Sequence, residues 1–327
     1  MKLIIPMAGK GTRLRPHTWS KPKPLLKVAG KTVLHHIIER IAQDVEIDEI
    51  IFIISSMEDQ IRNAVSSFPY KKTFFYQEQL TGDAGAIIKA KEVVEGEAII
   101  VFSDTVFDAD LKNISSSESD GFVWTKEVED PRSFGVVQVE NDNIIGVVEK
   151  PKDPASNLAI IGLYYFRDMK KVFDAIDYLF DNKITTKDEY RLADAISLMI
   201  KDGLKLQVRE VSKWLDCGTP ENLLNTNRVL LQMNGSIHDS LESSTNSVIK
   251  EYVSIGENTV LDSCVIGENV SIGKNVTLKN SVIWNSIIDD NVIIENLILS
   301  DSLIGENATI KAQQRKVNMG DHSFVRL

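Results

Sequence analysis

Between Ile4 and Lys31 the chain reads Ile-Ile-Pro-Met-Ala-Gly-Lys-Gly-Thr-Arg-Leu-Arg-Pro-His-Thr-Trp-Ser-Lys-Pro-Lys-Pro-Leu-Leu-Lys-Val-Ala-Gly-Lys. A short apolar strand runs into a turn holding Gly9 and Gly11, whose backbone N–H groups can face an anion, and then into a series of cations. Lys2, Lys10, Arg13, Arg15, Lys21, Lys23, Lys27 and Lys31 place eight positive charges in the first 38 residues, with no Asp or Glu among them. The 327-residue chain carries −10 overall, which leaves −18 for the other 289 residues. A local field opposite in sign to the rest of the chain suits a small polyanionic substrate. The cations are interleaved with Gly and Pro and follow no helical spacing, unlike those of an ordinary solvated helix face.

Carboxylates that can complete such a site lie far off in sequence. Asp104 follows the apolar run Ala98-Ile99-Ile100-Val101-Phe102 and Ser103, and Asp216 sits in Trp214-Leu215-Asp216-Cys217-Gly218-Thr219-Pro220. An acidic residue at the carboxyl end of a strand is a natural cation ligand. Mg2+ needs only one or two carboxylates when substrate phosphate oxygens supply the rest. His35, His36, His238 and His322 have no partners at catalytic spacing and are read as surface or packing residues. Cys217 and Cys264, 47 residues apart, form neither a metal motif nor a disulfide framework, and Cys217 is read as a small buried hydrophobe.

The elements that must position these groups fall into two textures. Strands are predicted at Lys2–Pro6, Glu49–Ser55, Thr73–Gln77, Ala98–Phe102, Gly121–Trp124, Val136–Glu140, Ile144–Glu149 and Leu158–Phe166. Helices are predicted at Val33–Gln43, Met57–Ser67, Gly82–Val94, Met169–Leu179 and Tyr190–Asp202. Continuous apolar runs such as Ile50-Ile51-Phe52-Ile53-Ile54 read as buried strands of a mostly parallel sheet, in a doubly wound α/β domain that binds its ligand at the strand carboxyl ends. From about residue 245 three aliphatic series repeat: Ile255, Ile272, Ile288 and Ile304; Leu261, Leu278, Ile294 and Ile310; Ile266, Ile283 and Leu299. Their common spacing of 17 and then 16 residues means three flat faces per coil, a parallel β-helix of hexapeptide-like units, some shortened to five. The expected division is a catalytic domain over 1–233, a polar linker over 234–247 and a β-helix with a C-terminal tail over 248–327. The acidic balance argues against a nucleic-acid partner. No apolar run reaches membrane-spanning length, no signal peptide is read, and a reducing cytoplasm is the expected location.

The loop Ala8-Gly9-Lys10-Gly11-Thr12-Arg13 lacks the four-residue gap of a Walker A loop and the third glycine of a dinucleotide fingerprint. Its continuation, Thr12-Arg13-Leu14-Arg15-Pro16 and then Lys21-Pro22-Lys23-Pro24-Leu25-Leu26, resembles the sugar-phosphate nucleotidyltransferases, the nucleoside-diphosphate-sugar pyrophosphorylases acting on hexose 1-phosphates. The resemblance covers nearly the whole chain, because many long members append a left-handed β-helix of the hexapeptide-repeat kind. It implies a Rossmann-like doubly wound domain in which Ala8, Gly9, Lys10, Gly11 and Thr12 cradle the nucleotide phosphates. Arg13 and Lys23 would meet the departing pyrophosphate. Gln77 and Gly82, in Tyr76-Gln77-Glu78-Gln79-Leu80-Thr81-Gly82, would bind the base, Gln77 by hydrogen bond and Gly82 by letting the base approach the backbone. Lys150 would pair with the phosphate of the sugar 1-phosphate, and Glu149 with sugar hydroxyls. Gly135, Ile161, Gly162 and Tyr164 would line the sugar pocket, and Asp104 and Asp216 would hold Mg2+.

Two positions depart from the pattern: Phe134 stands where many relatives have tyrosine, and Ile161 where some have threonine. Both bear on which sugar is taken. A Gln77-type contact suits uracil or thymine, so the expected activity is glucose-1-phosphate thymidylyl- or uridylyltransferase. A mannose-1-phosphate guanylyltransferase shares almost every motif. A non-catalytic regulatory or oligomerising paralogue should have lost Arg13, Lys23, Asp104 or Asp216, and all four are present. An acyltransferase activity of the β-helix is disfavoured by three to four coils and no histidine between His238 and His322. The β-helix is instead expected to be structural or to join copies in a homo-oligomer.

Overall fold

The computed structural model describes residues 1–238 and 243–313. His322, the C-terminal tail and the middle of the polar linker lie outside the described residues. The chain divides into two compact units, Met1–Leu26 with Lys31–Leu223 and Lys27–Gly30 with Leu224–Leu327. Among the described residues no helix is long and apolar enough to cross a membrane.

The first unit is built on a nine-stranded sheet. Its strands, numbered along the chain, are β1 (Lys2–Pro6), β2 (Glu49–Ile54), β3 (Lys71–Tyr76) and β4 (Ala98–Val101), followed by β6 (Gly121–Glu127), β7 (Gly135–Glu140), β8 (Asn143–Glu149), β9 (Leu158–Phe166) and β10 (Leu206–Glu210). They lie in the order β3-β2-β1-β4-β9-β6-β10-β8-β7. The helices are α1 (Val33–Ala42), α2 (Glu58–Ala64), α3 (Asp83–Ile87), α4 (Met169–Asp181) and α5 (Leu192–Lys201). Ile4, Ile51, Ile53 and Ile100 pack with Val172, Phe173 and Ile176 of α4 and Ile196 of α5 in one core. Helix α3 is shorter than the sequence suggests and continues as a 3₁₀ turn, Ile88–Ala90.

The sheet is parallel from β3 to β4 and again between β6 and β10. Beyond that it is mixed: β9 runs antiparallel to both β4 and β6, and β7 and β8 form an antiparallel hairpin. The hairpin closes on Asn141 and Asp142, both at positive φ (49° and 63°), the two-residue turn that a right-twisted pair favours. Two strands absent from the sequence expectation, β5 (Thr105–Asp108) and β11 (Lys213–Asp216), pair as a separate antiparallel ribbon.

The second unit contains the left-handed parallel β-helix. All three aliphatic series stack in register: Ile255 on Ile272 on Ile288 on Ile304, Leu261 on Leu278 on Ile294 on Ile310, and Ile266 on Ile283 on Leu299. The first coil begins at Ile237–His238 and takes in Ser243–Thr245, inside the stretch read as a polar linker. Ser243–Thr245 pairs with Val260–Asp262, and its polarity reflects exposure rather than lack of structure. Asparagines hold the left-handed corners: Asn258, Asn275, Asn291 and Asn307 all have positive φ, and each side-chain amide donates to the next side-chain carbonyl at 3.0–3.1 Å.

The unit boundary falls within helix α6 (Pro220–Asn234). The fully buried Asn227 accepts from Ala29 N and Ser271 Oγ and donates to Asn269 O. Lys27 Nζ reaches Asp290 Oδ1 at 2.5 Å.

Candidate active site

A cleft of about 1180 Å³ opens over the carboxyl ends of β1 and β4, and every residue lining it belongs to the first unit. At one end β1 stops at Pro6, and Met7 N still donates to Ile53 O of β2. The chain then leaves the sheet through the exposed Gly9 and Lys10. Gly11 turns at φ 59°, its carbonyl accepts from Thr18 Oγ1 at 2.8 Å, and the 3₁₀ turn Thr12–Leu14 follows. Nothing lies within 4 Å of where a Gly9 side chain would be, so this backbone is open to the cleft. Short backbone turns of this kind present N–H groups to a phosphate without a full helix.

Asp104 and Asp216 are brought together by the β5–β11 ribbon. Asp216 lies opposite Thr105, and Cys217 N donates to Asp104 O at 2.9 Å. The Asp216 carboxylate is oriented by Gly218 N (2.9 Å) and by the Asn222 side-chain amide. Lys23 Nζ lies 2.6 Å from Asp104 Oδ2. A Cβ at Gly218 would stand 2.9 Å from Asp216 Oδ1 and 3.0 Å from the Arg13 guanidinium; the glycine leaves the gap across which these two approach. Two carboxylates lining one cleft, Asp104 already beside a cation, fit a divalent ion that takes its remaining ligands from substrate oxygens. Among the described residues no cluster of three or more such side chains competes for the role.

In the segment expected to bind the base, Gln77 is almost fully buried and its Nε2 donates to Gly82 O at 3.0 Å. Gly82 has φ 113°, and a Cβ there would fall 2.3 Å from the Tyr190 carbonyl. The structure therefore demands glycine at this position for chain packing, independently of any ligand. Toward the other end, Lys150 (φ 45°) follows β8, its N–H bonded to Phe134 O and its Nζ 3.3 Å from Glu149 Oε1. Gly135 makes room for the Glu149 carboxylate: a Cβ would come within 2.9 Å of Oε2. Ile161 and Gly162 lie where β9 slips register against β6, between Ile160 and Tyr164, and Gly162 takes φ 84°. Tyr164 is buried beside them. Burial, with the charges of Asp83 and Glu149, holds its phenol well above the usual range.

The structure adds residues to which sequence reasoning gave no role. Lys187, Glu189 and Arg191 line the cleft from the approach to α5, a charge-rich stretch partly absorbed into a predicted helix. Arg191 pairs with Asp83 (3.2 Å) and Glu189 (2.7 Å), and Asp83 also accepts from Leu192 N. Burial pushes the Asp83 carboxyl above its ordinary value although Leu192 N–H and Arg191 pull the other way. Trp214 Nε1 and Arg191 Nε are buried with no hydrogen-bond partner. Phe134 meets the Trp214 ring edge-on at 4.8 Å.

The Gly9–Gly11 turn, two carboxylates and a Glu-Lys pair line one cleft, and comparisons with known proteins bear on the family of the chain that holds them. The nucleotidyl transferase family model matches residues 2–233. The chain belongs to the nucleotidyl transferase family. Among curated relatives, the bifunctional protein GlmU of Methanocaldococcus jannaschii is 36% identical over 262 residues, covering 80% of this nucleotidyltransferase and 61% of the relative. The low-salt glycan biosynthesis nucleotidyltransferase Agl11 of Haloferax volcanii is 32% identical over 243 residues, covering 71% and 66%. The chain thus spans about three-fifths of the length of the GlmU relatives it matches. A Bacillus anthracis chain assigned as a glucose-1-phosphate thymidylyltransferase, solved with sucrose, is similar at TM-score 0.61 and 28% identity, over 70% of this chain and 94% of that one.

Proposed function

We propose that this nucleotidyltransferase transfers a nucleotidyl group from a nucleoside triphosphate to a sugar 1-phosphate and releases pyrophosphate, with a pyrimidine nucleotide and glucose 1-phosphate as the substrate pair. The observation that carries the reading is the single cleft shared by the Gly9–Thr12 backbone with Arg13 and Lys23, the Asp104–Asp216 pair, and Glu149 with Lys150. The phosphate of a sugar 1-phosphate is already nucleophilic near neutral pH, so the chain needs no general base. The task is to bring two polyanions together, which is positioning and charge neutralisation. Lys150 would hold the attacking phosphate, and Glu149 would accept from sugar hydroxyls. The loop amides, Arg13 and Lys23 would receive the charge that develops on the departing pyrophosphate. Asp104 and Asp216 would hold Mg2+, whose chemistry is to neutralise phosphate oxygens as charge shifts.

Gln77 bears on the base assignment. One Nε2–H goes to Gly82 O and Nε2 also lies 3.5 Å from Thr81 Oγ1, so the carbonyl oxygen is left to face a base, an acceptor that suits the ring N–H of uracil or thymine and equally that of guanine. The test is pyrophosphate release with Mg2+ across a matrix of triphosphates and hexose 1-phosphates. UTP or dTTP with glucose 1-phosphate should turn over fastest. A preference for GTP with mannose 1-phosphate would replace the substrate pair, and no release with any pair would overturn the activity.

A further inference from the structure

The two carboxylates assigned to the metal are not waiting for it alone. Lys23 Nζ stands 2.6 Å from Asp104 Oδ2, with the lysine side chain 13% and the aspartate 33% exposed. On the Asp216 side, a Cβ at Gly218 would stand 3.0 Å from the Arg13 guanidinium and 2.9 Å from Asp216 Oδ1. These are the same two cations that would later meet the pyrophosphate. An ammonium in direct contact with Oδ2 and a divalent ion on the same carboxylate would lie within a few ångströms of each other, and like charges at that range repel strongly in a partly desolvated cleft. Arg13 adds a second positive charge on the Asp216 side. Before a nucleotide arrives, the chain therefore supplies its own counter-ion to Asp104.

We propose that Lys23 is the internal counter-ion of Asp104, and that a divalent metal gains Asp104 only when a triphosphate draws Lys23 away, so that metal and nucleotide load together. The proposal rests on the reading of Asp104 as a metal ligand. Lys23 then has two successive partners: the Asp104 carboxylate in the free protein and the phosphate chain in the loaded one. The exchange is favoured because the +2 ion arrives with an anion carrying more negative charge than the metal neutralises, and the excess is what Lys23 meets. It also shields the sheet-end carboxylates from stray divalent ions in the absence of substrate.

The test uses Mn2+ as the probe, its free concentration read by electron paramagnetic resonance over the full-length protein, with and without a non-hydrolysable uridine triphosphate analogue. Without the analogue, Lys23→Met should bind Mn2+ at least about tenfold more tightly than the unaltered chain, the scale of removing one close unit charge. Lys23→Arg should stay near the unaltered affinity, and Lys23→Gln gives the same contrast if the methionine variant fails to fold. With the analogue, the unaltered chain should tighten and the advantage of Lys23→Met should vanish. Equal or weaker nucleotide-free affinity in Lys23→Met and Lys23→Gln overturns the exchange, while loss of Mn2+ affinity in Asp104→Asn with analogue present leaves the ligand assignment standing. If Asp104→Asn binds Mn2+ as well as the unaltered chain with the analogue present, the ligand assignment itself falls.

Discussion

In the β-helix one position per coil does the same work again and again, whereas in the α/β unit each residue at the cleft does its work once. Leu261, Leu278, Ile294 and Ile310 fill one interior row, and Asn258, Asn275, Asn291 and Asn307 tie one corner. Lys150, Asp104 and Gln77 have no such duplicates. Repetition spreads stability over equivalent contacts and writes it into the sequence as a period. Singular function leaves no period and is held by long-range neighbours: Asp83 finds Arg191 108 residues away, and Asp104 is bonded through Cys217. Substitutions should therefore separate stability from turnover according to the unit they fall in.

The strongest separation is expected in the β-helix interior. Leu278→Ala, at a fully buried position, should cost about 2–5 kcal/mol of folding stability. Pyrophosphate release at 25 °C should stay within about twofold, because the cleft is lined by the first unit alone. Calorimetry beside the turnover assay checks both, and a collapse of turnover at intact fold would break the comparison. The converse is expected of Asp104→Asn, Arg13→Ala and Lys150→Ala. Each should lower kcat at least about a hundredfold, the scale of one preorganised charge contact, with little change in melting temperature. Near-normal turnover in any of them would remove the role assigned to that residue.

Smaller effects refine the contrast. Asn275→Ala loses a ladder bond on each side and forces alanine to φ 56°, so a loss of about 1–2 kcal/mol is expected. Asn275→Gly should recover the conformational part, and equal losses in both would show that the corner geometry is not what asparagine supplies. The least effect concerns His35 of α1, whose pKa burial holds below the ordinary 6.5. Below pH 6.5 the folded chain then binds fewer protons than the unfolded one, so this contribution to stability is lost as pH falls through that window. His35→Gln should flatten the decline between pH 7 and pH 5 by less than about 1 kcal/mol. Urea midpoints at the two pH values measure it, and an unchanged slope would show that His35 does not set it.

What could be read in the sequence follows the same division. The three aliphatic series stack as their spacing required, and β1 and β9 keep the bounds predicted for them. The Gly9–Gly11 turn and Asp104 could be placed at one cleft because residue type and strand end coincided, whereas Asp216 ends a strand that was not foreseen. The antiparallel half of the sheet was not, since its hairpin depends on left-handed Asn141 and Asp142, which read locally as a polar break. Nor was the wall built by Lys187, Glu189 and Arg191. A charged run is ordinary surface until Asp83 and the Tyr190 backbone close on it. Gly82 is expected on one ground and required on another: base access was the expectation, and the Tyr190 carbonyl is what excludes a side chain.

The shift in coil spacing from 17 to 16 residues has a consequence for how this chain can change length. The third corner has six-residue steps at Ile249–Ile255 and Ile266–Ile272, then five-residue steps at Ile283–Ile288 and Leu299–Ile304. The second long corner contains Asn269, whose carbonyl and side-chain oxygens receive Asn227 and Gln232 of α6. An extra residue beside Asn285 or Asp301 would recreate a corner length the helix already uses, whereas deleting one beside Asn269 would take away the seat of α6. Of the two longer corners, the one at Asn269 is where something other than the next coil is attached.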